Sequence, residues 1–396
     1  MAIGKRREDG VHSLRSMDRG IRLWALAVSA LLLVPAGLAT AGDGEGHLAV
    51  TNVRKVAPFL NDVRNPRLAG DLLAFVGRPA AGNATEYVYA MDVPSGSITR
   101  LSGPVNVVSL YLYDVDEGRV FWAKTTDHIL HIWNASTNTT LDLPAPWTVG
   151  RTAFRIDGDW AVFVIPEPGR DQMVAYDFRN QTEFNVTGNE TGHYPPSLYR
   201  GTVVWSEDRF GSDDVFAYDL ATRAERRITF TPSIDESLPD IWMDTVVWEA
   251  RNPATRDKNI ESHDLRSNRT VSLTSGDRLD ILPHVAGPFV GFLGHWPTTW
   301  SDAYVTDMDT GDVLQLTNTP VSDSWVAVSE RHVAWYTYED PHEVVYVADL
   351  SVEQPGPDLA LPVIGVAVVL VVALGAGLGY RRRRRRARSD SGPDPP

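Results

Sequence analysis

The chain has 396 residues, no cysteine and a formal net charge of −14, from 51 acidic and 37 basic residues. The lack of cysteine excludes disulfide bonds, thiol catalysis and thiolate metal ligands, so a packed core must stabilise the fold. An acidic surface repels nucleic acid and keeps a protein soluble, so we expect no nucleic-acid partner.

The first segment, residues 1–41, is predicted to be a signal peptide. Its basic leader contains Lys5, Arg6 and Arg7, and an apolar run follows at residues 23–34. Ala39-Thr40-Ala41 then supplies the small residues that a signal peptidase accepts. An uncleaved anchor is the alternative, but the apolar run is short for a membrane span.

The other end predicts a membrane anchor. Residues 359–380 carry no charge and are long enough to cross the roughly 30 Å hydrocarbon core as a helix. The basic tail 381–396 begins with six arginines, which favours a cytoplasmic C-terminus. The sequence therefore predicts a single-pass protein of the cell membrane, with an extracellular domain at 42–352 and a linker at 353–358.

Between these ends the chain repeats itself with a period of about 43 residues. Each copy contains an apolar second strand with an aromatic residue, and a third strand that ends in an acid or amide. The second-strand aromatics are Phe75, Trp122, Phe163, Trp205, Trp248, Phe292 and Trp335. The third-strand markers are Asp92, Asn134, Asp177, Asp219, Asp264, Asp307 and Asp349. Four short strands per 40–45 residues is the unit of a propeller blade.

Seven markers predict an all-β, seven-bladed β-propeller, with six blades as the alternative. The last copy lacks a fourth strand, while HLAVTN at residues 47–52 matches VLQLTN at residues 313–318. We therefore expect the N-terminal strand to complete the last blade, which removes an exposed sheet edge.

The motif DRFGSDDVFAYDL followed by RRITFTPSIDESLP, within residues 208–239, resembles the TolB-like propeller repeats of exported bacterial and archaeal proteins. The resemblance covers about residues 47–352 and implies a propeller of the protein-interaction kind. The C-terminal span and arginines also resemble the anchors of archaeal surface proteins.

Strand order assigns the loops to two faces. The a–b and c–d turns are short, whereas the b–c and d–a loops, such as 77–86, 165–171, 207–213, 249–258 and 293–301, are predicted to be long. Long loops on a rigid scaffold usually carry function, so we expect this face to point away from the membrane and to bind an extracellular protein or glycan. The candidate contact residues are Arg170, Arg209, Arg256, His295, Trp296, Trp300, Tyr336 and Tyr338.

A second candidate site is the mouth of the central channel, predicted from the residues His193, Asp235, Glu236, Asp280 and Asp323. A polysaccharide-acting enzyme at this mouth and a structural cell-envelope component are the alternatives to a binding module. We expect no catalytic residues, no metal site and no cofactor, because the acids are scattered and the motifs HExxH, GxSxG and GxxxxGK[ST] are absent.

Sequons predict N-glycosylation. They begin at Asn83, Asn134, Asn138, Asn180, Asn185, Asn189 and Asn268.

Overall fold

The computed structural model describes residues 46–80, 85–104, 112–116, 118–123, 128–145, 152–167, 170–188, 195–296 and 300–353. The predicted signal peptide, membrane span and basic tail lie outside these ranges. Within them, no helix is long and apolar enough to cross a bilayer. The chain divides into two compact units, and the propeller occupies Leu48–Ser351 of the first.

The described residues form seven antiparallel four-stranded sheets, which we number as blades 1 to 7. Within a blade, the strands are a, b, c and d from the channel outward. The strands of blades 1 and 2 are β2 (Leu60–Ala69), β3 (Leu72–Pro79), β4 (Tyr87–Asp92), β5 (Ile98–Arg100), β6 (Leu112–Asp116), β7 (Arg119–Ala123), β8 (Ile129–Asn134) and β9 (Thr139–Pro144). Those of blades 3 and 4 are β10 (Thr152–Asp157), β11 (Trp160–Glu167), β12 (Arg170–Asp177), β13 (Thr182–Asn185), β14 (Ser197–Tyr199), β15 (Thr202–Glu207), β16 (Asp214–Asp219) and β17 (Ala224–Arg227).

The remaining three blades include the one in which the ring closes. Blades 5 and 6 contain β18 (Asp235–Trp242), β19 (Thr245–Arg251), β20 (Lys258–Asp264), β21 (Arg269–Ser272), β22 (Leu279–Ala286), β23 (Phe289–His295), β24 (Asp302–Asp307) and β25 (Val313–Gln315). Blade 7 contains β26 (Trp325–Val328), β27 (His332–Glu339), β28 (His342–Glu353) and, as its outermost strand, β1 (His47–Lys55). The predictions of seven blades and of an N-terminal strand that completes the last one are confirmed.

The aromatic marker of each second strand lies in the core between blades. All seven markers are at most 4% exposed, and in four blades the ring stacks on a Phe or Tyr ring directly across on strand c. Those stacked pairs are Phe75–Tyr89, Trp205–Phe216, Phe292–Tyr304 and Trp335–Tyr346, with centroids 5.4 to 5.7 Å apart. The period of the repeat is thus the period of interblade packing, because each sheet must bury its faces against its neighbours.

The acid or amide that ends each third strand caps the c–d turn. Asp177 Oδ1, for example, accepts the backbone N–H of Arg179 at 2.8 Å, and Asp219 Oδ1 accepts that of Thr222 at 2.6 Å. These turns also need one residue at positive φ, such as Gly96, Arg223 or Gly311. Blade 7 has no such turn, and its marker Asp349 instead accepts the side-chain amide of Asn52 on β1 at 2.6 Å.

The prediction of one long loop is wrong. Residues 165–171 were expected to form a long b–c loop in blade 3, but β11 and β12 remain paired as far as Glu167 and Arg170. The apolar run of this hairpin continues through Ile165, and the strands extend where those of blades 4, 5 and 6 separate. The b–c loops of blades 4, 5 and 6 are long, as expected.

Candidate functional site

A ring of seven equivalent residues lines the central channel, one from the innermost strand of each blade. Each pairs, across the a–b hairpin, with the residue that precedes the aromatic marker of its blade. The ring consists of Arg67, Asp114, Arg155, Ser197, Asp240, His284 and Ala327. All seven border a cavity of about 580 Å³ that reaches the a–b turns and therefore opens on the short-turn face.

A β-bulge precedes four of these residues and orients their side chains. The register shifts immediately before Arg67, Arg155, Asp240 and His284. In each case the residue two positions earlier has a positive φ although it is not glycine: Asn65, Ala153, Leu238 and Leu282, at 50° to 54°. Bulges of this kind redirect a side chain and are common beside binding sites.

One arc of the ring is joined by hydrogen bonds. The Asp240 carboxylate accepts the Ser197 hydroxyl at 2.5 Å and the Val285 backbone N–H at 2.9 Å, and its Oδ2 lies 3.3 Å from His284 Nδ1. Burial alone would raise the pKa of Asp240, but the hydrogen bonds and the charge of His284 outweigh it and lower that pKa. This arc therefore ties blades 4, 5 and 6 together.

The opposite arc carries two arginines on either side of Asp114. Asp114 accepts the backbone N–H groups of Ile156 at 2.9 Å and Val115 at 3.0 Å, and forms no ion pair with either arginine. Burial raises the pKa of Asp114, while Arg155 and Arg67 act against that rise. Burial, reinforced by the charge of Arg155, lowers the pKa of Arg67 to about 10.

Trp325 stands beside the ring, two residues before Ala327 on β26. The Arg67 guanidinium carbon lies 4.7 Å from the centroid of its ring, and the His284 ring lies 4.3 Å away. The indole Nε1 of Trp325 is buried and has no hydrogen-bond partner among the described residues. The hydroxyl of Tyr113, which neighbours Asp114 on β6, is likewise buried without a partner.

The acids predicted for the channel mouth lie at the opposite, long-loop end. Glu236, Asp280 and Asp323 are at most 3% exposed, and each accepts a hydrogen bond from a nearby protein group. Asp280 accepts Arg278 Nε at 2.5 Å, Glu236 accepts the Thr231 hydroxyl, and Asp323 accepts the Ala303 backbone N–H at 3.0 Å. Asp235 begins β18 and is half-buried, and His193 lies outside the described residues. The structure does not bring these acids into the cavity.

The predicted contact residues are spread over blades 3 to 7. Arg209 is engaged with Glu207 and with Glu225 at 2.9 Å, and Tyr336 is half-buried beside Glu343. The side chain of Arg170 is outside the described set, whereas Arg256 is exposed in the b–c loop of blade 5. Trp296 and Trp300 flank one b–c loop, where His295 is half-buried.

Exposed aromatic side chains are confined to one face of the described propeller. All six lie in, or at the ends of, the b–c and d–a loops: Phe59, Phe210, Phe230, Trp296, Trp300 and Tyr338. None of the described a–b or c–d turns presents an aromatic side chain of similar exposure. On blade 4, Phe210 and Phe230 enclose Arg227, whose guanidinium carbon lies 4.2 and 4.7 Å from their centroids.

Several predicted sequon asparagines lie on the other, short-turn face. Asn134, Asn138, Asn180 and Asn268 end a third strand or lie in a c–d turn, and Asn185 ends β13. Asn83 and Asn189 lie outside the described residues. Glycosylation at these positions stays a prediction. In the part of the chain that is described, no group of three or more His, Asp or Glu side chains is placed to hold a metal ion.

No family model and no curated protein matches the sequence. Solved structures do match. An acylaminoacyl peptidase from Pyrococcus horikoshii has a TM-score of 0.56 at 11% identity, over 76% of this chain and 53% of the peptidase. The chain thus spans about half the length of that enzyme.

Two other solved structures match over nearly their whole length. An oligogalacturonate lyase in complex with manganese has a TM-score of 0.53 at 12% identity, over 78% of this chain and 99% of the lyase. The β-propeller domain of the Trilobed protease from Pyrococcus furiosus, described as an open velcro topology, has a TM-score of 0.53 at 11% identity. That match covers 76% of this chain and 99% of the domain.

At these identities the likeness shows the fold alone. The chain is a seven-bladed β-propeller of the architecture found in these proteins. We expected that the chain is not an enzyme. The comparisons contradict that expectation at the level of the fold, because the solved propellers that share it belong to peptidases and a lyase. The resemblance to TolB-like repeats stays a prediction.

Proposed function

We propose that the chain is an exported, membrane-anchored propeller of the TolB-like kind, similar to archaeal surface proteins, that recognises an extracellular protein or glycan through its long-loop face. Recognition through this face is compatible with a chemical step on the bound partner. The observation that carries the proposal is the confinement of the exposed aromatics to that face.

Aromatic and arginine side chains contribute most of the binding energy in protein interfaces, because they bury a large area at a small entropic cost. Trp296 is 51% exposed and Trp300 is 55% exposed, so each has a large area left to bury. The Phe210–Arg227–Phe230 sandwich adds a rigid apolar patch on blade 4, since Arg227 is fixed by an ion pair of 2.8 Å to the buried Asp214.

The direction of the last strand supports the display of this face. Strand c of every blade runs from the long-loop end to the short-turn end, and β28 follows this rule as it approaches Ser351. A membrane anchor that follows β28 would therefore be connected to the propeller on its short-turn side. The long-loop face would then point outward.

The test is a binding measurement with the full chain against a glycan array and against fractionated extracellular proteins. Two double variants remove the aromatics, one with Trp296→Ala and Trp300→Ala, the other with Phe210→Ser and Phe230→Ser. Leu141→Ala on the outer strand β9 is the matched control, because Leu141 is also 57% exposed but lies off the face. We expect at least one double variant to lose tenfold or more in affinity, while the control binds normally. Equal binding by all variants would contradict the proposal.

A second candidate function is catalysis on polysaccharide, favoured by the fold shared with oligogalacturonate lyase and by the carboxylate and imidazole of Asp240 and His284 in the channel. Incubation of the full chain with polygalacturonate would then release unsaturated uronides, which absorb in the ultraviolet. A His284→Gln variant should lose that activity. No product from the unsubstituted chain would dismiss this candidate for that substrate.

A further inference from the structure

The half-buried arginines of the described residues fall into two groups. Most of them form an ion pair with a carboxylate: Arg54, Arg64, Arg78, Arg119, Arg209, Arg227 and Arg278. Arg67 and Arg155 of the channel ring form none. Arg155 donates one hydrogen bond to the Phe154 carbonyl at 2.9 Å, and Arg67 donates none to any described residue, although its guanidinium lies over the Trp325 ring.

This arrangement leaves charged donors directed at the cavity. A guanidinium offers five N–H donors in a fixed fork and stays charged, and those of Arg67 and Arg155 make one hydrogen bond between them to the described residues. The second arginine on the same arc adds like-charge repulsion. Such groups are usually retained where they bind something.

We infer that the channel ring is a binding site for a small anion that carries a carboxylate or a phosphate, held by Arg67 and Arg155 and reached from the short-turn face. The bidentate geometry of guanidinium matches both kinds of anion. The site is distinct from the proposed long-loop interface, so either one can fail without the other.

The neighbouring acids do not turn this into a cation site. Both oxygens of Asp114 accept backbone N–H groups, and both oxygens of Asp240 accept hydrogen bonds from Ser197 and Val285. These carboxylates fix the inner strands to one another. The groups in and beside the channel with hydrogen-bonding capacity to spare are the two guanidinium groups, the buried Trp325 Nε1 and the buried Tyr113 hydroxyl, and all of them can donate.

The cavity also fits a ligand rather than a lone ion. Its volume of about 580 Å³ is within the range of roughly 300–1,000 Å³ that is typical of small-molecule sites. Ala327 occupies the ring position next to Arg67 in blade 7, and its small side chain takes up little of the channel. A ligand with one acidic group and a polar body would therefore be accommodated.

The experiment measures anion binding to the full chain by calorimetry and by the shift in melting temperature. The probes are inorganic phosphate and malonate, each compared with chloride at equal ionic strength. The variants are Arg67→Gln and Arg155→Gln, and the matched control is Arg100→Gln. Arg100 also stacks on an aromatic ring, that of Tyr87 at 5.0 Å, but it is exposed on the outer strand β5.

We expect phosphate or malonate to bind the unsubstituted chain and the Arg100→Gln control, and to bind the Arg67→Gln and Arg155→Gln variants at least tenfold more weakly. Binding of malonate alone indicates a carboxylate ligand, and binding of phosphate alone a phosphorylated one. The melting temperature of unliganded Arg67→Gln should equal or exceed that of the unsubstituted chain, which a structural role would not produce. The inference is overturned if chloride stabilises as well as both probes, if neither probe binds, or if both channel variants bind normally.

Discussion

The two ends of the propeller use arginine in opposite ways. At the long-loop end, buried carboxylates such as Asp214, Glu249 and Asp280 are each held by a cation at 2.5 to 2.8 Å. In the channel, Arg67 and Arg155 form no ion pair, and the nearby acids accept hydrogen bonds from backbone and hydroxyl groups instead. The long-loop pairs hold loops onto blades, whereas the channel arginines are left available.

The charge of a residue alone therefore does not identify a binding site in this fold. Acids on the d–a loops look available from the sequence, yet Asp280 and Glu236 are at most 1% exposed. Arginines in the innermost strands look structural, yet their guanidinium groups face an open cavity. The relevant property is whether the charged group already has a partner.

The largest effect should come from breaking a long-loop pair. The Asp280 carboxylate accepts hydrogen bonds from Arg278 Nε and Nη2, and Arg278→Met would leave this fully buried charge unpaired. Removing one partner of a buried pair costs about 3–5 kcal/mol. We therefore expect the free energy of unfolding, measured in urea, to fall by that amount.

Arg67→Met is the comparison for this variant, because no buried carboxylate loses its partner there. Its free energy of unfolding should change by less than about 1 kcal/mol in either direction, because loss of the cation–π contact with Trp325 is offset by relief of the repulsion from Arg155. The additional change Asp280→Asn in the Arg278→Met background should recover part of the loss. Similar losses for both arginine variants would remove the distinction between the two ends.

A second prediction concerns Glu236, a buried long-loop acid that forms no ion pair with a described residue. Glu236 is bonded to the Thr231 hydroxyl, and burial raises its pKa to about 7 from an ordinary value of 4.5. Because the folded pKa is higher, the unfolded chain releases this proton first as the pH rises. The contribution of Glu236 to stability should therefore be greatest below pH 4.5 and be lost between pH 4.5 and 7, by up to about 3 kcal/mol.

The measurement is the difference in free energy of unfolding between the unsubstituted chain and Glu236→Gln across that pH range. The glutamine variant lacks the titrating group, so it should gain relative to the parent as the pH rises. Glu249→Gln is the control, since Glu249 is paired with Lys258 at 2.6 Å and its loss should destabilise the fold. A constant difference for Glu236→Gln would contradict the assignment.

The repeat made the fold predictable from the sequence. Marker residues such as Trp205 and Asp219 recur because each blade packs an aromatic between sheets and caps a c–d turn. The same logic located β1, because HLAVTN repeats the pattern of a fourth strand. Strand ends were less predictable: Pro166, Pro168 and Gly169 are typical of a loop, yet the hairpin of β11 and β12 continues to Glu167 and Arg170.

The channel ring was missed, although a signal for it exists. Each ring residue lies eight positions before the aromatic marker of its blade, as Arg67 does before Phe75 and Asp240 before Trp248. The a–b hairpins share one length, so this offset holds in all seven blades. The sequence does not show which ring residues have hydrogen-bond partners. The partners of Asp240, for example, come from β14 and β22, in blades 4 and 6.

The smallest predicted effect tests whether the two channel arginines act as one electrostatic unit. Arg67 and Arg155 carry like charges into the same channel, and each lowers the stability of the other charge. Replacing either with glutamine relieves the repulsion, so the double variant should gain less than the sum of the two single variants. The coupling should be below about 1 kcal/mol and should shrink at high salt, because these groups border an aqueous cavity. Urea unfolding of the four proteins measures it, and Arg67→Gln combined with Arg100→Gln gives the reference for additivity. Strict additivity of the channel pair would mean that the arginines do not sense one another, and a shared anion would then need to be held by one of them alone.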